Sequence, residues 1–398
     1  MHKIKLPVYL DYAASTPCDP QVSEVMLSCL TGSGHFGNPA SKDHVYGWEA
    51  ADVVETARDQ IGQCIGSSPL NITFTSGATE SSNLAIIGLA RGLAATDRRR
   101  HIVTSMIEHK AVLESCAYLQ RQGYKVSYIK PHADGSVDCA LLESYLEDDT
   151  FLVSIAQANS VVGTISDIHA LADMCHERGI YFHSDCAQSA GWETLDLDKS
   201  NIDLVSLTPE KIYGPKGVGA IYIKRPLDKK IEPLIYGGGQ ERNLRSGTVA
   251  VHQVAAMGKA FELIQQRAAD DKKHILALRE KLKEAMLALK DVSINGSQEH
   301  HLPGILSVTF KGIDSHMLLP TMSDIAASTG SACSSAALTP SYVLKALGLS
   351  DNDARSTLRL SIGRFTTEDD IQRAIADITR AVVALQEAGS MWQVNKEL

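Results

Sequence analysis

The sequence predicts an α/β fold: a large domain around a mostly parallel sheet, with a smaller α+β domain beside it. Three observations predict it. Between residues 71 and 224 short β-rich runs alternate with helical stretches, the mark of layered α/β architecture. Beyond residue 264 that alternation gives way to long charged amphipathic stretches flanking two further strand-like runs. The chain's 398 residues, 44% of them hydrophobic, suffice for a substantial core and a second domain.

The elements follow in chain order. The β-rich runs of the first part are "NITFT" (71–75), "HIVTSM" (101–106), "KVSYI" (125–129), "FLVSIA" (151–156), "GIYFHSD" (179–185), "DLVSLT" (203–208) and "VGAIYIK" (218–224). In sheets of this kind ligands bind at the carboxyl ends of the strands. The stretch 265–290, "QQRAADDKKHILALREKLKEAMLALK", reads as connecting helices. "GILSVTF" (304–310) and "TLRLSIG" (357–363) read as strands, and "TEDDIQRAIADITRAVVALQ" (367–386) as a closing helix. In that helix Ile371, Ala374, Ile375, Ile378, Val382 and Leu385 fall at i, i+3/i+4 spacing, and Thr367 with Asp370 offers a capping box. The expected division is a large domain over 16–264 and a small domain built from 1–15 and 265–398.

Composition excludes several function classes. A formal charge of −9 argues against general affinity for nucleic acid or an anionic membrane, which depends on clustered Lys and Arg. The one dense basic run, "DRRR" at 97–100, reads as a solvated turn. No signal-peptide pattern opens the chain, and no apolar stretch reaches membrane length. The eight cysteines are scattered without a C-x-x-C pair, against a zinc ribbon or disulfide framework and for a reduced, cytoplasmic compartment.

Four strand ends carry chemistry-bearing residues. After "NITFT" come Ser76, Gly77, Ala78 and Thr79, small residues whose amides and hydroxyl at a helix start suit a phosphate; alone, such a turn is an ordinary N-cap. His109 lies at a strand-to-helix junction, where an imidazole can stack on a flat ring, move protons, or simply cap the helix. Asp185 ends a buried strand with Gln188 three residues on; such an acid can hold a pyridine nitrogen protonated, or cap the next helix. Lys211 sits in the turn "TPEKIYGPKG" (208–217), where a lone lysine is ordinarily a solvated one. Taken together, a phosphate cradle, a ring-stacking histidine, an acid and a lysine are the parts of a pyridoxal 5′-phosphate site, with Lys211 as the lysine that binds the cofactor.

Nearly end to end, the chain resembles the cysteine desulfurases of the IscS/NifS type, class-V aminotransferases within the fold-type I pyridoxal-phosphate enzymes. The resemblance is carried by "YLDYAASTP", "FGNPAS", "FTSGATES", "EHKAVL", "DCAQS", "KIYGPKGVGA", "ERNLRSGT", "STGSACSSA", "SYVLKALGL" and "LRLSIGRFTTE". It implies that Lys211 binds the cofactor and moves the substrate proton, that His109 stacks on the ring, that Asp185 pairs with its nitrogen, and that Gln188 approaches its phenolate. Ala78, Thr79 and Thr208 would hold the phosphate. Thr248 would reach the phosphate in a partner subunit, which implies a homodimer. Arg359, assisted by Asn38, would grip the carboxylate of L-cysteine. Cys333, in the small-residue stretch 326–339, would take the sulfur as a persulfide, release L-alanine and pass the sulfur to an acceptor protein. Iron–sulfur assembly, tRNA thiolation and DNA phosphorothioation all draw on such enzymes. A selenocysteine lyase-like enzyme, another lyase of this fold, or a weakly catalytic sulfur-transfer scaffold are the alternatives.

Three pocket residues depart from the family pattern. Glu210 stands where a histidine usually precedes the lysine, so it is expected either to turn toward a cation or to weaken cofactor retention. Ser160 replaces an asparagine that touches the ring phenolate, and the neighbouring Asn159 could substitute only with a backbone shift. Gln240 likewise replaces a usual histidine.

Overall fold

Four parallel strands of the large sheet, His101–Ser105, Thr150–Ser154, Tyr181–Asp185 and Leu204–Leu207, are buried along nearly their whole length because both faces are covered, whereas Lys125–Ile129 at the sheet's edge is only partly buried. The computed structural model describes residues 6–329 and 339–394. In chain order the strands are β1 (Val8–Tyr9), β2 (Ile72–Thr75), β3 (His101–Ser105), β4 (Lys125–Ile129), β5 (Thr150–Ser154), β6 (Tyr181–Asp185), β7 (Leu204–Leu207), β8 (Gly219–Ile223), β9 (Val292–Asn295), β10 (Ile305–Phe310), β11 (Ile325–Ala326) and β12 (Thr357–Ser361). Each of the seven β-rich runs expected between residues 71 and 224 forms a strand of one sheet, ordered β2-β8-β7-β6-β5-β3-β4. Within it β7, β6, β5, β3 and β4 run parallel. β8 is antiparallel to both its neighbours, so β2 shares the direction of the parallel strands. Six strand ends, those of β2, β3, β4, β5, β6 and β7, therefore open on the same edge.

Two apolar layers sandwich this sheet. One holds Ile61, Phe74, Val153, Phe182, Val205 and Phe261; the other holds Leu89, Ile102, Phe151, Leu204 and Ile221. A third core, built on β10 and β12, gathers Ile371, Ala374, Ile378 and Val382 of the closing helix together with Val8 and Leu10 from the start of the chain. In that core β10 pairs antiparallel with β9 and β12, and β1 pairs parallel with β11.

The stretch read as connecting helices is instead one helix, Val251–Leu287, of 37 residues. No Pro interrupts it, and its buried face changes partner partway along. Ile264 and the buried residues before it pack in the first layer, whereas Ile275, Leu278, Leu282 and Met286 belong to the third core. Among the described residues no helix is long and apolar enough to cross a membrane.

Candidate active site

At this common edge lies a cavity of about 500 Å³, within the usual range for small-molecule sites. β2, β3, β6 and β7 each deliver a different group to it, and the segment after β5 adds Ala156, Asn159 and Ser160 to its wall.

β2 delivers a helix start. Gly77 has φ 154°, a conformation that side-chain-bearing residues rarely adopt, and no side chain caps the helical run that begins at Ala78. Gly219 on β8 makes this approach possible, since a Cβ there would lie 2.6 Å from the Gly77 backbone. Glu80 fixes the turn from behind: its carboxylate accepts the Ser76 amide at 2.7 Å and the Arg245 guanidinium at 3.0 Å. Ala78 and Thr79 face the cavity.

β3 leads to His109, whose Nδ1 accepts the Ala111 amide at 3.1 Å as the N-cap of the helix Lys110–Arg121. Capping and cavity-lining are thus the same placement, and the bond puts the neutral ring's proton on Nε2. From β6 comes Asp185, whose Oδ1 accepts the Ala187 amide at 2.9 Å. Burial pushes its carboxyl up, while that amide, His109 and Lys211 pull it the other way. A protonated ring nitrogen would supply the compensating charge. Gln188 lines the cavity and donates to the Ala13 carbonyl at 2.8 Å.

The end of β7 carries the lysine turn. Thr208 is buried at its start, and the turn is clamped by Thr16, whose hydroxyl donates to the Glu210 carbonyl at 2.9 Å and accepts the Tyr213 amide at 2.9 Å. Lys211 points into the cavity, donates to the Ala14 carbonyl and lies 3.4 Å from Glu210 Oε1. Glu210 has turned toward a cation, and that cation is Lys211 itself.

Arg359 reaches the cavity from β12. Its Nη1 donates to the Ser160 carbonyl at 2.9 Å and its Nη2 to Asp11 at 2.8 Å, and its Nε is buried without an acceptor among the described residues. Its backbone pairs with Ser328, at 2.8 Å for the Arg359 amide. Cys333 lies outside the described residues.

Two predicted residues are elsewhere within the single chain. Asn38 lines a separate cavity of about 210 Å³ with Arg58, Gln240, Glu241 and Val249, and Thr248 is exposed on the neighbouring loop. Asn159 also lines the cavity, but its side-chain polar atoms are turned to the loop backbone. Its Nδ2 donates to the Ile107 carbonyl at 2.9 Å and its Oδ1 accepts the amides of Val161 and Val162, so its side chain is committed to the loop. Ser160 lines the cavity beside it. The sequence reading missed Glu80, Asp11 and Glu108. A carboxylate four residues after Ser76 in a helix start was a usable signal for Glu80; the burial of Glu108 beside His109 had none.

The residues present fit pyridoxal 5′-phosphate: a lysine, a buried acid awaiting a positive partner, an imidazole face and a helix start with two nearby threonines converge on one cavity. The class-V aminotransferase model matches residues 8–374. The cysteine desulfurase IscS of Proteus mirabilis is 46% identical over 394 residues, covering 99% of this chain and 97% of that protein. The chain belongs to this family, among its cysteine desulfurases. The IscS of Pseudomonas aeruginosa strain LESB58 is similar to this desulfurase to the same extent, 46% over 394 residues, with the same coverage of both chains. Among solved structures, a NifS-like protein superposes with a TM-score of 0.87 at 34% identity, covering 96% of this chain and all of that one. SspA in complex with cysteine gives 0.78 at 35%, covering 90% and 99%. The desulfurase's cofactor is pyridoxal 5′-phosphate, as in the rest of its family.

Proposed function

We propose that this cysteine desulfurase removes sulfur from L-cysteine with Lys211 as the cofactor-binding lysine and proton carrier and Cys333 as the sulfur acceptor. The observation that carries the reading is the convergence of Lys211, His109, Asp185, Thr79, Thr208 and Arg359 on one cavity. When bound, the cofactor supplies an electron sink for the substrate's Cα. Asp185 would keep the ring nitrogen protonated, His109 would stack on the ring and Gln188 would approach its phenolate. Thr79, Thr208 and the amides that begin at Ala78 hold the phosphate. Arg359 takes the substrate carboxylate with its guanidinium, and its backbone pairing with Ser328 ties that grip to the segment leading toward Cys333. The Lys211 amine would take the Cα proton of the substrate. The Cys333 thiolate then attacks the substrate sulfur: an S–S bond forms, the Cβ–S bond breaks with its electron pair left on carbon, and after protonation alanine leaves.

The enzyme acts as a homodimer in the cytoplasm, its small domain formed by residues 1–15 and 265–398, and passes sulfur to an acceptor protein of an iron–sulfur, tRNA-thiolation or DNA phosphorothioate pathway. Asn38 and Thr248 serve the partner's pocket. The test is alanine formed from L-cysteine by purified protein with added cofactor and a thiol reductant. Cys333→Ser is expected to bind cofactor and abolish alanine formation; full alanine production by that variant would refute the assignment.

A further inference from the structure

We propose that Glu210 is a positioning residue for the cofactor lysine: its carboxylate holds Lys211 in the ammonium form and so sets the pH at which the site takes up its cofactor. This rests on the reading of Lys211 as the cofactor-binding lysine. The two residues are consecutive, and Lys211 Nζ lies 3.4 Å from Glu210 Oε1 at the wall of the cavity. Their pairing is built into the turn. The Glu210 carbonyl accepts both the Thr16 amide at 3.2 Å and its hydroxyl at 2.9 Å, while the Pro209 carbonyl accepts the amides of Ile212 and Gly214. A turn clamped at this many points presents the carboxylate and the ammonium on the same side.

Other charges face the pair from the surrounding elements. Asp185, from the end of β6, interacts with both Lys211 and His109. From the N-terminal segment and β12, Asp11 and Arg359 neutralise one another at 2.8 Å, with Tyr9 beside them and within reach of Glu210. Asp185 has the ring nitrogen to pair with once cofactor enters, which leaves Glu210, among the described residues, as an anion that stays with the lysine.

Uptake condenses the Lys211 amine with the cofactor's aldehyde: a carbon–nitrogen bond forms, water leaves, and the ammonium proton has departed to solvent beforehand. An anion beside the nitrogen opposes that departure. Removing the anion should therefore move uptake to lower pH.

Cofactor-free protein is titrated with pyridoxal 5′-phosphate, and separately with pyridoxal, which lacks the phosphate, from neutral to alkaline pH; the absorbance of the lysine adduct is the readout. Glu210→Gln and Glu210→His are each expected to shift the uptake midpoint toward acid by about 1 pH unit or more for both compounds, and Glu210→Asp to shift it less than either. Circular dichroism checks folding, and two charge-removing side chains of different shape keep the test open if one fails to fold. Coincident midpoints for wild type and the charge-removing variants would overturn the inference. So would a shift seen with the phosphate ester alone, which would place the carboxylate's action on the phosphate. A wild-type protein that forms no adduct would overturn the assignment of Lys211 as well.

Discussion

Asp185 and Glu108 are both buried carboxyls near strand ends, and burial pushes both up, yet their prospects differ. Asp185 faces the cavity, where a cofactor can supply charge. Glu108 faces away: its Oε1 accepts the Ala156 amide at 2.9 Å, and its Oε2 has no partner among the described residues. Desolvation is the main cause of its shift to about 8, with the Ala156 amide opposing and Asp185 adding to it. Because the folded state keeps this proton above the ordinary value of 4.5, Glu108 costs stability increasingly as pH rises from there to about 8. The slope is on the order of 1.4 kcal/mol per pH unit at most. Glu108→Gln has no proton to lose. Urea unfolding is expected to find the variant close to wild type near pH 5 and more stable near pH 8; an equal difference at both pH values would refute a neutral, buried Glu108. His109 was legible in the sequence because an imidazole at a strand-to-helix junction has recognisable uses. Glu108 was not, because its chemistry comes from burial, which no local pattern reports.

At the scale of elements, the closing helix was legible and the clasp before it was not. Periodicity located the buried stripe, and the capping box forms reciprocally: Thr367 donates its amide to Asp370 Oδ2 at 2.9 Å and its hydroxyl accepts the Asp370 amide at 3.1 Å. Just upstream, Arg364 joins three distant elements. It donates Nε to Asp271 at 2.7 Å and Nη1 to Asp19 at 2.9 Å, and its guanidinium lies 4.2 Å above the ring of Tyr213 in the lysine turn. Its amide also donates to the Tyr213 hydroxyl at 2.6 Å. These partners are separated by up to 345 residues, so sequence spacing carries no trace of them. Arg364→Met takes the guanidinium from the buried Asp271 and leaves Asp19 with the longer pair to Arg267 at 3.4 Å, and equilibrium unfolding is expected to show a loss of about 3–5 kcal/mol. Lys281→Met removes a pair with Glu368 in which both side chains are half exposed, and is expected to leave stability nearly unchanged. Equal costs would mean that the clasp does not organise the lysine turn.

For the whole molecule, the large sheet was legible because each strand is a short apolar run closed by a turn, whereas the 37-residue helix was not, because its buried face passes from one core to another without a break in helical period. The loop bearing Thr248 is a further case of long-range control. Glu241, Arg242 and Asn243 have φ of 46°, 56° and 68°, a conformation unfavourable for residues with side chains. It is held by Glu241, which accepts two hydrogen bonds from Arg58 at 2.9 Å and the Phe74 amide at 2.8 Å, with both Glu241 and Arg58 only 4% exposed. Such an outlay of strain and buried charge fixes a surface loop in place, and the same small cavity joins it to Asn38. Close by in the chain, Phe36, Tyr46 and Trp48 are more than half exposed, with the rings of Phe36 and Tyr46 5.5 Å apart. A rigid loop beside exposed aromatics suits an interface between two copies of the chain, with Thr248 and Asn38 carried into the partner's pocket. Trp48→Glu places a charge there, so sedimentation is expected to show monomers, with loss of cofactor retention and alanine formation together. Mixing then separates a shared pocket from mere loss of folding. A Lys211→Ala chain and a Thr248→Arg chain, each inactive as its own homodimer, are expected to regain activity when co-refolded, because one of the two pockets then has both its lysine and an intact partner loop. A Trp48→Glu monomer with full activity, or no recovery on mixing, would place both residues outside the reaction.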